Sequence, residues 1–215
     1  MFREVIGLRQ SEIHRTTYDV IFSLGSECLT GLQLREHQLR TMAGPIDWMI
    51  TDPLSKVSRL FHNRFSGFML EENLQVIGID LQGKNYLVND LAYGIVSGHD
   101  FAIENNPPGP LTTYAEFRTK MDRRIARFNR VMNQSSMILF VRLYGTEQEA
   151  KELESVLSQW IPRRFHVLLL IPGQTESPTD LQWPLKRVCA LEIPDIPRIW
   201  ETSMWGEIFS NIHLK

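Results

Sequence analysis

At 215 residues, with 43% hydrophobic and 22% charged positions, the chain has the composition of one globular domain spanning residues 1–215, long enough to bury a core without metal or disulfide staples. A formal net charge of −2 excludes a global attraction to nucleic acid or acidic membranes, and neither is expected as a partner. Two cysteines far apart, Cys28 and Cys189, argue against a zinc cluster or a secreted disulfide framework, and no metal or cofactor is implied.

The segment Met1–Gly7 lacks the apolar core of a signal peptide and no run has the length of a membrane span, so the cytoplasm is the expected address. Val20 to Leu24 reads as a buried strand, Gly25 as the turn leaving it, and Ser26 as the N-cap of a helix that carries Cys28 in its first turn and ends near Gln38. A second helix opens at Asp52-Pro53 with Leu54, Val57, Leu60 and Phe61 on its buried stripe. Leu74 to Leu81, Tyr86 to Asn89 and Tyr93 to Ser97 then form a short antiparallel meander.

Asn105-Asn106-Pro107-Pro108-Gly109-Pro110 breaks the pattern. After it, Thr113 and Glu116 form a capping box, followed by Phe117, Met121, Ile125, Phe128 and Met132 at helical spacing. The apolar strands Met137 to Leu143 and Phe165 to Ile171 flank a helix opened by a second capping box at Thr146 and Glu149. This strand-helix-strand order predicts a parallel crossover. Val188 to Ile193 adds a strand and Glu201 to Ile212 a closing helix. The periodicity predicts a three-layer α/β domain with a mainly parallel, Rossmann-like sheet whose C-terminal strand ends carry the functional edge.

Cys28 sits at such an edge. The partial positive charge of a helix start favours a thiolate, whereas burial as a small hydrophobe is the plainer fate of a free cysteine. A thiol nucleophile needs a base. His99 is the best candidate of six histidines because it closes a strand in Ser97-Gly98-His99-Asp100, while His14, His37, His62, His166 and His213 fall in the N-terminal arm, near helix ends, in a core strand or in the tail. Asp47 and Asp100 both qualify to orient it. Gly25 and Ser26 offer N–H groups to an anion or oxyanion, and Arg142, a charge inside an apolar strand, is either a substrate-anion clamp or half of a buried ion pair. The basic run Arg118, Lys120, Arg123, Arg124, Arg127 and Arg130 reads as a solvated helix face, interrupted by acids and poor in interleaved aromatics.

Ser23-Leu24-Gly25-Ser26-Glu27-Cys28, Leu34-Arg35 with Leu39-Arg40, Pro45-Ile46-Asp47-Trp48, His99-Asp100-Phe101, Arg123-Arg124-Ile125-Ala126-Arg127-Phe128 and Ile138-Leu139-Phe140-Val141-Arg142 resemble the family named putative papain-like cysteine peptidases, from about Tyr18 to the Trp205 region. The resemblance implies a Cys28–His99 dyad with Asp47 or Asp100 as orienter. It also implies a papain-like α+β alternative, with the cysteine on a helix and the histidine on an antiparallel sheet.

The leading expectation is a cysteine-dependent hydrolase or acyltransferase acting on a small-molecule or peptide substrate. Its rivals are a non-covalent, Rossmann-like module holding an anionic metabolite or sugar nucleotide at Gly25-Ser26 with Arg142, a serine hydrolase using Ser26, and an interaction protein with an exposed apolar face at Trp200, Met204 and Trp205.

Overall fold

The computed structural model describes residues 7–195 and 202–215. Its elements in chain order are α1 (Gln10–Arg15), β1 (Thr17–Tyr18), β2 (Val20–Ser23), α2 (Cys28–Glu36), β3 (Met49–Ile50), α3 (Leu54–His62), β4 (Leu74–Ile79), β5 (Tyr86–Asp90), β6 (Ile95–Ser97), α4 (Tyr114–Gln134), β7 (Met137–Leu143), α5 (Glu147–Trp160), β8 (Arg164–Gly173), β9 (Thr179–Asp180), β10 (Val188–Pro194), α6 (Thr202–Phe209) and β11 (His213–Leu214).

Every residue of β7 is buried, because this strand lies inside a five-stranded sheet of order β2-β7-β8-β10-β9. β2, β7, β8 and β10 run parallel, and β9 is an antiparallel edge. Successive side chains of a strand point to opposite faces. On one face Phe22, Ile138, Phe140 and Val167 pack with Val57 and Phe61 of α3, Phe128 of α4 and Leu153 of α5. On the other, Ile21, Leu139, Val141 and Leu168 pack with Ile13 of α1, Leu34 of α2 and Trp205 of α6. An unbroken apolar strand is what two covered faces require. The parallel strands step one way across the sheet, so their order contains no reversal of the kind at which doubly wound folds seat their ligands.

The meander is the second sheet, antiparallel and of order β3-β6-β5-β4. Two of its strands are shorter than their sequence runs, β6 beginning at Ile95 and β4 ending at Ile79, while β5 runs one residue further to Asp90, and a bulge interrupts β4 between Val76 and Gly78. Buried Val88 and Ile95 from this sheet belong to the same apolar cluster as Phe22 and Phe140 of the parallel one. α4 connects them: Phe117 lies 4.8 Å from Phe101 beside the meander, and Phe128 lies 4.8 Å from Phe22 and 5.6 Å from Phe61.

Thr146 and Glu149 form the capping box their spacing predicts, whereas Thr113 does not cap α4. Its hydroxyl donates instead to Asn106 Oδ1 at 3.0 Å, so a turn contact replaces the cap. The two-residue strands β1 and β11, which pair with each other in parallel, were too short to leave a periodic signal, as was β3. Met204 and Trp205 are buried, which removes the exposed apolar face expected of them; Trp200, the first residue of the closing helix at Glu201, and the Met1–Ile6 arm lie outside the described residues. Among the described residues no helix is long and apolar enough to cross a membrane.

Because Phe128 touches β2, α3 and α5 at once, Phe128→Ala is expected to lower unfolding stability by about 4 kcal/mol, read from chemical denaturation. A loss below about 1 kcal/mol would show that this junction is not tightly packed.

Candidate functional site

The site grows from the end of β2. Leu24 extends the pairing, its N–H donating to Val141 O at 2.9 Å, and its carbonyl accepts from Arg142 Nη1 at 2.6 Å and Thr51 Oγ1 at 3.2 Å. Gly25 then turns with φ +86°, where a Cβ would stand 2.2 Å from Thr51 Oγ1, so both conformation and space demand glycine. Ser26 O accepts from Thr51 N–H at 2.8 Å. Glu27, rather than Ser26, is the N-cap, without a side-chain capping bond, and Cys28 is the first helical residue of α2.

Residues 47–51 lie between this helix and the meander. α2 approaches them at Gly31, where a Cβ would be 3.1 Å from Asp47 O, and on their other side Met49 and Ile50 pair with Ser97 and Val96 of β6. The pairing carries Trp48 next to His99, ring centroids 6.3 Å apart and edge-on. Cys28 and His99 therefore line one cavity of about 360 Å³, together with Glu27, Trp48, Leu87 and Gly98. Cys28 is half-buried and His99 exposed. A larger open cleft beside α3, about 640 Å³ and lined by Lys56, Arg59 and His62, includes neither.

Burial pushes the Cys28 thiol above its ordinary pKa and the Glu27 carboxylate adds to the rise, while the residue's own backbone N–H works the other way. This corrects the expectation that the helix start favours the thiolate. Glu27 is itself held above the usual carboxylate range by burial and by Asp52.

Neither aspartate reaches His99 with a hydrogen bond. Asp47 is buried, its Oδ2 accepting from Arg40 Nε at 2.8 Å, Arg40 Nη2 at 2.7 Å and Gly44 N–H at 2.9 Å, while its Oδ1 has no partner among the described residues. Burial raises its pKa against the opposing pull of Arg40. Asp100 accepts from Ser97 Oγ at 2.7 Å and Lys120 Nζ at 2.6 Å. Asp47 thus positions Arg40, whose guanidinium lies 5.3 Å from the Trp48 ring centroid, and Asp100 ties β6 to α4.

The anion site expected at Gly25, Ser26 and Arg142 is also corrected. Gly25 N–H donates to Ser23 Oγ at 3.2 Å, and Ser26 is fully buried with an unpartnered hydroxyl, which equally removes it as a nucleophile. Arg142 has 0% exposure and all five N–H donors occupied, by Leu24 O, Thr51 Oγ1, Thr51 O, Asp52 Oδ1 and Tyr144 O. Burial lowers its pKa to about 10, which leaves it charged at neutral pH. It is a buried guanidinium paired with an exposed carboxylate rather than a fully buried ion pair, and nothing is left for a ligand. Part of the basic run on α4 is likewise structural: Arg118 donates to Phe68 O and Arg127 to Ala43 O. Among the described residues no cluster of three or more His, Cys, Asp or Glu side chains could hold a metal ion. Glu27 lines the cavity without having been singled out; no sequence signal separated it from other helix-start acids.

The fold and this cavity define a mixed α/β protein with a cysteine at a helix start and a histidine beyond an antiparallel strand on one wall. The chain belongs to the family described as putative papain-like cysteine peptidase, whose model matches residues 19–171, ending earlier than the resemblance to the Trp205 region implied. No curated protein and no solved structure gives a match. Cys28, Asp47, His99, Asp100 and Arg142 all fall in the matched span.

Two outcomes follow from these contacts. Arg142→Met strips partners from the carbonyls of Leu24 and Thr51 and is expected to cost on the order of 3 kcal/mol in chemical denaturation, with Arg142→Lys recovering less than half because an ammonium cannot span the same acceptors. Glu27→Gln removes the negative charge that disfavours the thiolate, so Cys28 should alkylate faster with iodoacetamide at pH 7, and its rate-versus-pH profile should move to lower pH. An unmoved profile would mean that Glu27 does not act on the sulfur.

Proposed function

We propose that the protein is a cysteine-dependent acyl hydrolase or acyltransferase, a single domain on a three-layer, Rossmann-like α/β frame, in which Cys28 is the nucleophile and His99 its base. The observation that carries the reading is the shared cavity: residues 71 positions apart in the chain line one space of about 360 Å³, at the small end of ligand-site volumes. Membership of the peptidase-like family supports the same chemistry.

The electrostatics support one order of events. With the Cys28 pKa raised, the resting nucleophile is a thiol, so proton removal accompanies attack rather than preceding it. His99 takes the proton as the sulfur–carbon bond forms and returns it to the departing group as the acyl–leaving-group bond breaks. Water, or an acceptor hydroxyl or amine, then releases the acyl group from sulfur with His99 again moving the proton. Of the N–H groups considered for the oxyanion, Gly25 is already bonded to Ser23 and Ser26 is fully buried, which favours the start of α2 at Cys28 as the donor edge. The free state of both thiols suits a reducing compartment such as the cytoplasm.

The test is turnover of a panel of thioesters, esters and peptide amides by the full chain. Cys28→Ala and Cys28→Ser should abolish it and His99→Ala should reduce it by about 10²- to 10⁴-fold, with circular dichroism unchanged. Wild-type rates in both the Cys28→Ala and His99→Ala variants would overturn the dyad.

A further inference from the structure

Much of the cavity wall is not needed by the dyad and is aliphatic. Ile50, Ile79, Leu81 and Leu87 line it beside Trp48, and three of these are exposed, Ile50 at 43%, Ile79 at 52% and Leu81 fully. Single exposed aliphatic residues are ordinary, but several turned toward one cavity next to a cysteine are a surface that gains by being covered.

The floor carries the second observation. Leu87 is half-buried, and Gly78 and Gly98 flank it: a Cβ at Gly98 would lie 3.5 Å from Leu87 Cδ2 and one at Gly78 would lie 3.8 Å from Leu87 Cδ1, both ordinary contacts. Neither glycine has a positive φ. Backbone conformation does not call for glycine at either position, and its effect there is to leave Leu87 uncovered from both sides. Among the described residues the charged lining is acidic, from Glu27 and Asp80, with His99 the one basic side chain. Arg35 and Arg40 sit over the Trp48 ring, 5.9 Å and 5.3 Å from its centroid, outside the lining, and Arg40 is paired with Asp47.

We infer that this cavity holds a neutral, apolar group of the substrate next to the bond attacked, a branched aliphatic or aryl group resting on Leu87 between Gly78 and Gly98, and that it excludes anionic groups. The inference rests on Cys28 being the reacting residue and names the substrate class for that reading. Covering exposed aliphatic surface favours the apolar group, whereas an anion would face two carboxylates across a partly desolvated space.

The test compares three alkylating probes on the full chain, iodoacetamide, the aryl amide iodoacetanilide and anionic iodoacetate, with rates at Cys28 read by peptide mass spectrometry against N-acetylcysteine amide. Cys189, 1% exposed, serves as the unreactive internal control. The iodoacetanilide-to-iodoacetamide ratio at Cys28 should exceed that of the free thiol by about tenfold, and the iodoacetate ratio should fall below it. Gly98→Val, which covers Leu87, and Leu81→Asp, at an exposed position that a folded chain tolerates, should each bring the aryl preference back toward the free-thiol value. Ratios equal to those of the free thiol, or an aryl preference unchanged in both variants, would overturn the inference. If the preference holds while His99→Ala leaves turnover intact, the dyad fails and the apolar cavity stands; if the preference is absent while His99→Ala abolishes turnover, the reverse is true.

Discussion

One buried guanidinium joins the parts of this structure that frame the cysteine–histidine cavity. Arg142 enters from β7, an inner strand of the parallel sheet, and binds the end of β2 through Leu24 O, the 51–52 segment through Thr51 and Asp52, and the turn after its own strand through Tyr144 O. Its direct carboxylate partner among the described residues, Asp52, is 49% exposed on the side chain, so charge pairing offsets only part of the desolvation and the neutral acceptors supply the rest. Thr51 extends the knot by donating its N–H to Ser26 O. The loop that delivers Cys28 and the segment that carries Trp48 toward His99 are thereby set by the same side chain.

The parallel crossover was readable because both of its strands are apolar on two faces and its helix opens with a true capping box at Thr146. The meander was readable from alternation and turn residues, although β4 ends before Leu81. Cys28 and His99 could be singled out because each lies at or beside an element end, Cys28 opening α2 and His99 just past β6, and element ends are what local patterning marks. The roles given to Asp47, Asp100 and Arg142 were not readable. Each depends on a side-chain partner chosen in three dimensions: Arg40 for Asp47, Lys120 for Asp100, and Asp52, ninety positions away, for Arg142. A charged residue in an apolar context announces that it must be satisfied without naming what satisfies it.

The same limit applies to the thiol. Position at a helix start argues for a lowered pKa, yet the position also places Glu27 beside the sulfur and turns the residue partly inward, and these outweigh it. The result is a thiol held above its ordinary pKa. Such a thiol is guarded against indiscriminate oxidation and alkylation, which follow thiolate character.

The family match ends at residue 171, but the apolar face opposite α5 does not. Cys189, Leu191 and Ile193 of β10 and Trp205, Ile208 and Phe209 of α6 fill the cluster that covers Leu139, Val141 and Leu168, and β10 pairs with β8 along seven residues. The span that defines membership is therefore not a self-sufficient folding unit: cut at its boundary, it would present a bare strand edge and an uncovered hydrophobic face, the two features that drive chains to aggregate.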